Sequence, residues 1–228
     1  MKRICRYLPI LSLPLLCVPF ASAQSSVDFM MGFGTAHDKA NTNGLDSASV
    51  GTCSPVGSVS SLTGGTCNAT PSLGGFFLGI GGDAILWKHF GIGGEINVQP
   101  SKSNFVETDT YGELQSRETF YDFNAIYAPV NTKRVALQLS GGIGGARTSL
   151  AVTGCVGTAA CQTEPFASAS HFQIHAGAGL SLFVTDHIFI RPAFDIHYVP
   201  GLTNEPGYGS NLVPEATVWV GYSFGDRQ

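Results

Sequence analysis

The chain has 228 residues, 43% of them apolar and only 12% charged, with 29 glycines and a formal net charge of −4. So few charges do not suit an ordinary water-facing surface, and the absence of a basic patch excludes nucleic acid as a partner. The length allows one domain of ordinary size.

Lys2, Arg3 and Arg6 precede an apolar run from Leu8 to Phe20, and Ala21-Ser22-Ala23 has the small-x-small pattern of a cleavage site. The run is too short to cross a bilayer as a helix, and Pro9, Pro14 and Pro19 oppose one further. Residues 1–23 therefore read as a secretory signal peptide and 24–228 as the exported domain. Pro14-Leu15-Leu16 lacks the small residue a lipid-modified Cys17 would need. No later stretch has the apolar length of a membrane helix.

From Val27 the pattern has period two. Side chains alternate between the faces of a strand, so each such segment has one apolar face and one small or polar face. Val27, Phe29, Met31 and Phe33 oppose Asp28, Met30, Gly32 and Gly34 in a first strand. His37 to Ser72 is rich in Ser, Thr, Gly and Asn and reads as a long loop. Leu73 to Val98 is a hairpin turning at Trp87-Lys88-His89, with Asp83 and Glu95 on its small-residue face. Ser101 to Gly112 is a polar loop, followed by a fourth strand to Tyr127 that carries Glu118, Asp122 and Asn124 on one face.

Pro129 to Arg134 is a short turn, and Val135 to Gly144 a fifth strand. Ser149 to Ser168 reads as a second long loop. The sixth strand has His171, Gln173 and His175 on its polar face and turns at Thr185-Asp186-His187. The seventh has Arg191, Asp195 and His197 on that face, with Pro192 predicting a local defect because proline cannot donate to a ladder. Pro200 to Pro214 forms the last loop, and Ala216 to Phe224 the eighth strand.

Eight strands, with connections alternating long and short, form the pattern of an all-β, eight-stranded antiparallel up-and-down transmembrane β-barrel. The three short turns and both termini lie on the periplasmic side, and the four long loops face outward. A soluble lipocalin-like ligand-binding barrel has the same period but would carry many charges on its water-facing strand positions. Here those positions hold Gly, Ser, Asn, Gln and isolated carboxylates, while Trp87, Phe90, Tyr127, Tyr198, Tyr222 and Phe224 lie near strand ends as an interfacial girdle does.

Three stretches carry a family resemblance: FGIGGE at Phe90 to Glu95, FYDFNAIYAP at Phe120 to Pro129, and VWVGYSF at Val218 to Phe224. With them the chain resembles the small OmpA/OmpX-like outer-membrane barrels, the outer membrane protein beta-barrel domain superfamily. The resemblance implies outer-membrane lipid as the surroundings and the barrel-assembly machinery as a partner in biogenesis. The final aromatic of that assembly signal is displaced, since Gly225 to Gln228 follow Phe224.

The polar faces gather Asp28, Asp83, Glu95, Asp122, His175, Arg191, Asp195 and His197 in the lumen, with Arg191 the clear cation. A turn centred near Asp186 sets His175 opposite His197, with Asp195 diagonal to His175. The preferred reading is a plug of ion pairs and hydrogen-bonded polar groups, with no metal or cofactor. A metal site, a proton-sensitive contact and a cation-preferring trickle pore are the alternatives. His171 lies about 13 Å along the strand from His175, too far to share an ion.

Cys53 with Cys67, and Cys155 with Cys161, read as two local disulfides of an exported chain, because neither pair has metal-ligand spacing. Asn68-Ala69-Thr70 matches a glycosylation pattern that has no use in a chain of bacterial appearance. Some barrels of this shape modify lipid A. The deacylase-type His-x-Ser is absent here, and Ser170-His171 has no evident carboxylate partner on its face, so no triad assembles. The functional expectation is a non-enzymatic outer-membrane barrel serving envelope integrity, surface interaction with an extracellular partner, or small-solute passage. A lipid A-modifying enzyme is the alternative.

Overall fold

The computed structural model describes residues 26–39, 42–49, 51–69, 74–108, 112–154, 162–205 and 208–225. Each alternating segment forms a strand: β1 Ser26–His37, β5 Gly74–Trp87, β6 Phe90–Val98, β8 Gly112–Asn131, β9 Val135–Gly154, β10 Gln162–Phe183, β11 Ile188–Tyr198 and β12 Leu212–Phe224. Four shorter strands lie in the connections: β2 Gly44–Asp46, β3 Thr52–Cys53, β4 Cys67–Ala69 and β7 Ser103–Thr108. All neighbours pair antiparallel, and the β1–β12 and β6–β8 ladders close the sheet into an eight-stranded barrel. A closed sheet leaves no row of unpaired backbone groups at its waist. The only helical element among the described residues is the 3-10 turn Leu202–Asn204.

Alternation decides which side chains enter the barrel. Phe29 and Phe123 point out and are 61% and 70% exposed, whereas Phe77 and Phe120, on the opposite parity, are 0% and 2% exposed. The outward positions of all eight barrel strands make a continuous apolar belt. Burying such a belt in hydrocarbon removes the cost of wetting it.

At the tight turns, Lys88 adopts a left-handed φ of 48°. His89 Nδ1 donates to the Ala128 carbonyl at 2.7 Å, and the Ala128 N–H donates back to the His89 carbonyl at 2.7 Å, tying this turn to β8. Thr132 Oγ1 accepts from the Val135 N–H at 3.1 Å and closes the next turn. Pro129 lies in the irregular stretch of the β8–β9 ladder between Tyr127 and Val130, so β8 continues to Asn131 and the turn is shorter than the expected Pro129 to Arg134. The predicted defect at Pro192 is present. The β10–β11 ladder runs to Gly179↔Ala193 and resumes at Leu182↔Ile190 in unchanged register.

The long connections hold more strand than expected. β9 continues to Gly154 and β10 starts at Gln162, so most of the expected Ser149 to Ser168 loop is paired sheet. Leu150 and Val152 there share the parity that faces inward lower in β9 and pack with Leu45 and Leu114, so the ladder persists without an outward apolar face. β7, inside the expected Ser101 to Gly112 loop, pairs with the start of β8. Within His37 to Ser72, β2, β3 and β4 form a small sheet closed by the Cys53–Cys67 disulfide. Asp46 anchors that sheet. Its carboxylate accepts from the Thr63 hydroxyl at 2.5 Å and the Ala48 N–H at 2.8 Å, contacts that hold its pKa below the usual range. The expected Cys155–Cys161 pair lies outside the described residues.

Candidate functional site: the packed lumen

The polar faces of eight strands converge on a narrow interior. Asp28, Asp83, Asp122, His175, Arg191, Asp195 and His197 are all buried there, and Glu95 is partly buried. They form two groups at different heights.

The lower group is built on Arg191 of β11. Its guanidinium lies 3.2 Å from Asp28 of β1 and 2.5 Å from Asp83 of β5, which face each other across the β1–β5 ladder. Nε donates to the Ser181 hydroxyl at 2.7 Å, and the guanidinium carbon lies 4.8 Å over the Phe189 ring. Three strands remote in sequence are thus tied through one cation. Below and around it, Met30, Ala136, Phe183, Phe189 and Trp219 pack together and fill the end of the lumen that carries the tight turns.

The upper group is built on the two histidines. His175 of β10 faces His197 of β11, as the turn geometry predicts, with ring centroids 5.4 Å apart and planes 11° from parallel. Asp195 is diagonal, 3.8 Å from His175 Nδ1. His197 Nε2 donates to Glu215 of β12 at 2.9 Å, and His175 Nε2 donates to Asn124 Oδ1 at 2.6 Å. Gln173 donates to Asp122 at 2.7 Å. Phe120 stacks on His197 at 5.1 Å and, with Phe77, Val199 and Val213, roofs the group.

Above that roof, Tyr208 from the last connection reaches down to donate to Glu118, which also accepts from Thr148 at 2.8 Å. The Gly209 N–H donates to the Asp38 carboxylate at 3.2 Å, and burial raises the pKa of that carboxyl. The last connection therefore folds over the mouth of the barrel opposite the tight turns. Between the Arg191 and histidine groups remains a cavity of about 30 Å³ lined by Glu95, Asn124, Ser140, Arg191, Asp195 and Trp219 among others.

Glu215 was hidden from sequence reading by Pro214 and the polar run before it, although it shares the parity of Thr217 and Trp219. Asn124 and Gln173 lay on predicted polar faces without a partner to single them out. Tyr208 gives no sequence signal, because its contact spans 90 residues. His171 does have a carboxylate partner, contrary to expectation: Glu205 of the last connection lies 3.1 Å from its Nε2. Loop residues carry no strand parity, so the pair could not be read from alternation. Ser170 alternates to the opposite face of β10 from His171, and no nucleophile–base pair forms there.

No family model and no curated protein sequence matches the chain. Among solved structures it is similar to Ail, the attachment invasion locus protein of Yersinia pestis, in complex with the heparin analogue sucrose octasulfate. The identity is 12%, 88% of this chain and 99% of that chain are covered, and the TM-score is 0.50. It is likewise similar to a major outer membrane protein from Thermus thermophilus, at 10% identity, 87% and 99% coverage and a TM-score of 0.50. At such identities the likeness is one of fold, that of the small outer-membrane barrels.

Proposed function

We propose that this chain, with the fold of a small outer-membrane barrel, is a non-enzymatic outer-membrane protein that holds a raised, partly disulfide-braced surface outside the cell. On this reading residues 1–23 direct export and are removed, the barrel-assembly machinery inserts the rest, and both termini stay in the periplasm. The observation that carries it is the pairing of a lipid-ready belt with a filled lumen: every barrel strand shows apolar side chains outward, while two buried clusters close the interior at both ends. A filled interior weighs against small-solute passage and leaves the outer strands as the working surface. The test is refolding into detergent. A folded barrel migrates differently on a gel before and after boiling, and in planar bilayers it gives no steady conductance. A detergent-independent soluble monomer would overturn the membrane reading, and discrete single-channel steps would overturn the closed lumen. Lipid A left unchanged on mass spectrometry after expression is the corresponding result for a non-enzyme.

One surface feature favours a more specific form of this reading. Lys102, Arg117 and Arg147 gather around a recess of about 400 Å³ with Ser149 and Ser168, where the outer strands emerge. Arg117 faces Ser149, and Arg147 faces Ser170, across ladders free of carboxylates at those rungs. Three cations converging on small hydroxyl residues suit a sulfated or phosphorylated sugar. Arg117→Gln with Arg147→Gln is expected to abolish retention on a heparin column at low salt and to leave heat-modifiable migration intact. Equal retention of the variant and the parent would remove this contact.

A further inference from the structure

We propose that the lumen holds one divalent transition-metal ion between His175, His197 and Asp122. Charge in the lumen is unbalanced. Among the described residues Arg191 is the one buried arginine and no lysine is buried, and Arg191 is engaged by Asp28 and Asp83. Asp122, Asp195 and Glu215 are buried above it without a lysine or arginine partner. Buried carboxylates in that position are paired, protonated or bound to metal. Two imidazoles stand among them.

The donors are also exposed to one another in the right way. The side chains of Asp122, His175 and His197 are 0% exposed, and Asp122 Oδ2, His175 Nδ1 and His197 Nδ1 have no hydrogen-bond partner. His197 is pinned through its other nitrogen. Glu215 accepts from His197 Nε2, which leaves the His197 Nδ1 lone pair turned toward Asp122 Oδ2, while His175 presents Nε2 to Asp122 Oδ1 at 3.7 Å and Nδ1 to Asp195 at 3.8 Å. A carboxylate holding the far side of an imidazole is the arrangement that orients metal-binding histidines and raises their basicity. Gln173 does the equivalent for Asp122 by donating to its Oδ1.

The spacing is close to that of a coordination shell. The three residues offer donor atoms within 4.8 Å of one another, and His197 Nδ1 lies 3.9 Å from Asp122 Oδ2. An ion about 2.0–2.2 Å from each ligand fits between such a pair, and His175 Nε2, 3.7 Å from Asp122 Oδ1, joins it by exchanging its contact with Asn124 for the ion. Glu95 and Asp195 form another set that shares His175. The set with two imidazoles is the one assigned, because nitrogen donors select zinc, copper or nickel over magnesium and calcium.

The lumen is closed, so the ion enters during folding. The chain is refolded in detergent with Zn²⁺ or Co²⁺, freed of excess metal by gel filtration, and assayed for bound metal and for the visible spectrum of Co²⁺. The expected result is one ion per chain, with a low-symmetry nitrogen–oxygen Co²⁺ spectrum. His197→Gln and Asp122→Asn are expected to reduce retained metal at least tenfold. Glu215→Gln, which keeps the ring in place but weakens its anchor, should lower affinity about 10- to 100-fold. Asp195→Asn and a His89→Gln, His171→Gln, His187→Gln triple variant should retain the metal. Absence of retained metal in the parent, retention in a His175→Gln, His197→Gln double variant, or loss in Asp195→Asn would each overturn the assignment. Variants are first checked for heat-modifiable migration. Where one does not refold, the parent's Co²⁺ spectrum decides: a spectrum of fully hydrated, octahedral ion overturns the site, and a four- or five-coordinate one supports it.

Discussion

Arg191→Met is expected to destabilise the barrel by about 3–5 kcal/mol, the cost of leaving buried charge without its partner. Asp28 and Asp83 are 1% and 5% exposed, and each loses its guanidinium contact in the variant. The methionine keeps the volume of the stem, so the loss reads on charge and hydrogen bonding more than on packing. Urea or guanidinium unfolding of the barrel refolded in lipid vesicles measures it as a fall in midpoint. The cost shrinks when the partners go too: in a background of Asp28→Asn and Asp83→Asn, removing the arginine should cost far less, because buried ion pairs are often replaceable by neutral groups at little net cost. A triple variant as unstable as Arg191→Met alone would show that the guanidinium holds β11 through Ser181 and Phe189 and not through charge.

Trp219→Ala should cost a similar amount, about 3–5 kcal/mol, through the cavity it leaves. The indole is 2% exposed and is seated on glycines. A Cβ on Gly32 would lie 2.6 Å from its Cε3 atom, and one on Gly79 would lie 2.4 Å from its Cη2 atom. The small residues of β1 and β5 are therefore the mould of one large side chain. Gly79→Val is the complementary test: with Trp219 present it should prevent refolding to the heat-modifiable form, and with Trp219→Ala it should recover part of the stability. Trp87 is 63% exposed, so the two tryptophans report separately, and loss of Trp219 should remove the buried, lipid-independent part of the emission. An unfolding midpoint unchanged by Trp219→Ala would mean that the lumen collapses freely, against the close packing of its neighbours.

These residues also mark the extent to which the fold was legible. The belt was readable because lipid imposes one strict rule, apolar at every second position, and β5 and β6 obey it from Phe76 to Val98. The His175–His197 pairing followed from parity and a short turn. Above lipid the rule lapses. Between Ser149 and Gly154 the apolar residues Leu150 and Val152 fall on the inward parity beside Leu45 and Leu114, so the belt pattern breaks although β9 stays paired. The pinning groups were harder still. Glu215 stands behind Pro214, and Tyr208 and Glu205 come from a connection whose path is set by contacts distant in sequence. Sequence period finds the faces of a sheet, while partners across the lumen are set by closure, which no local window contains.

The rise of β8, β9 and β10 beyond the belt has a consequence for how the protein meets other chains. β10 pairs with β9 from Gln162 but with β11 only from Ile174, so among the described residues its first dozen have no strand on that side. An edge of that length is a template on which another strand can add, from a second copy or an unfolded neighbour. Pro165 lacks the N–H such a strand would need, and the register shift between Pro165 and Ala167 bends the edge away from a straight ladder. Pro165 and the bend beside it are expected to oppose strand addition along that edge.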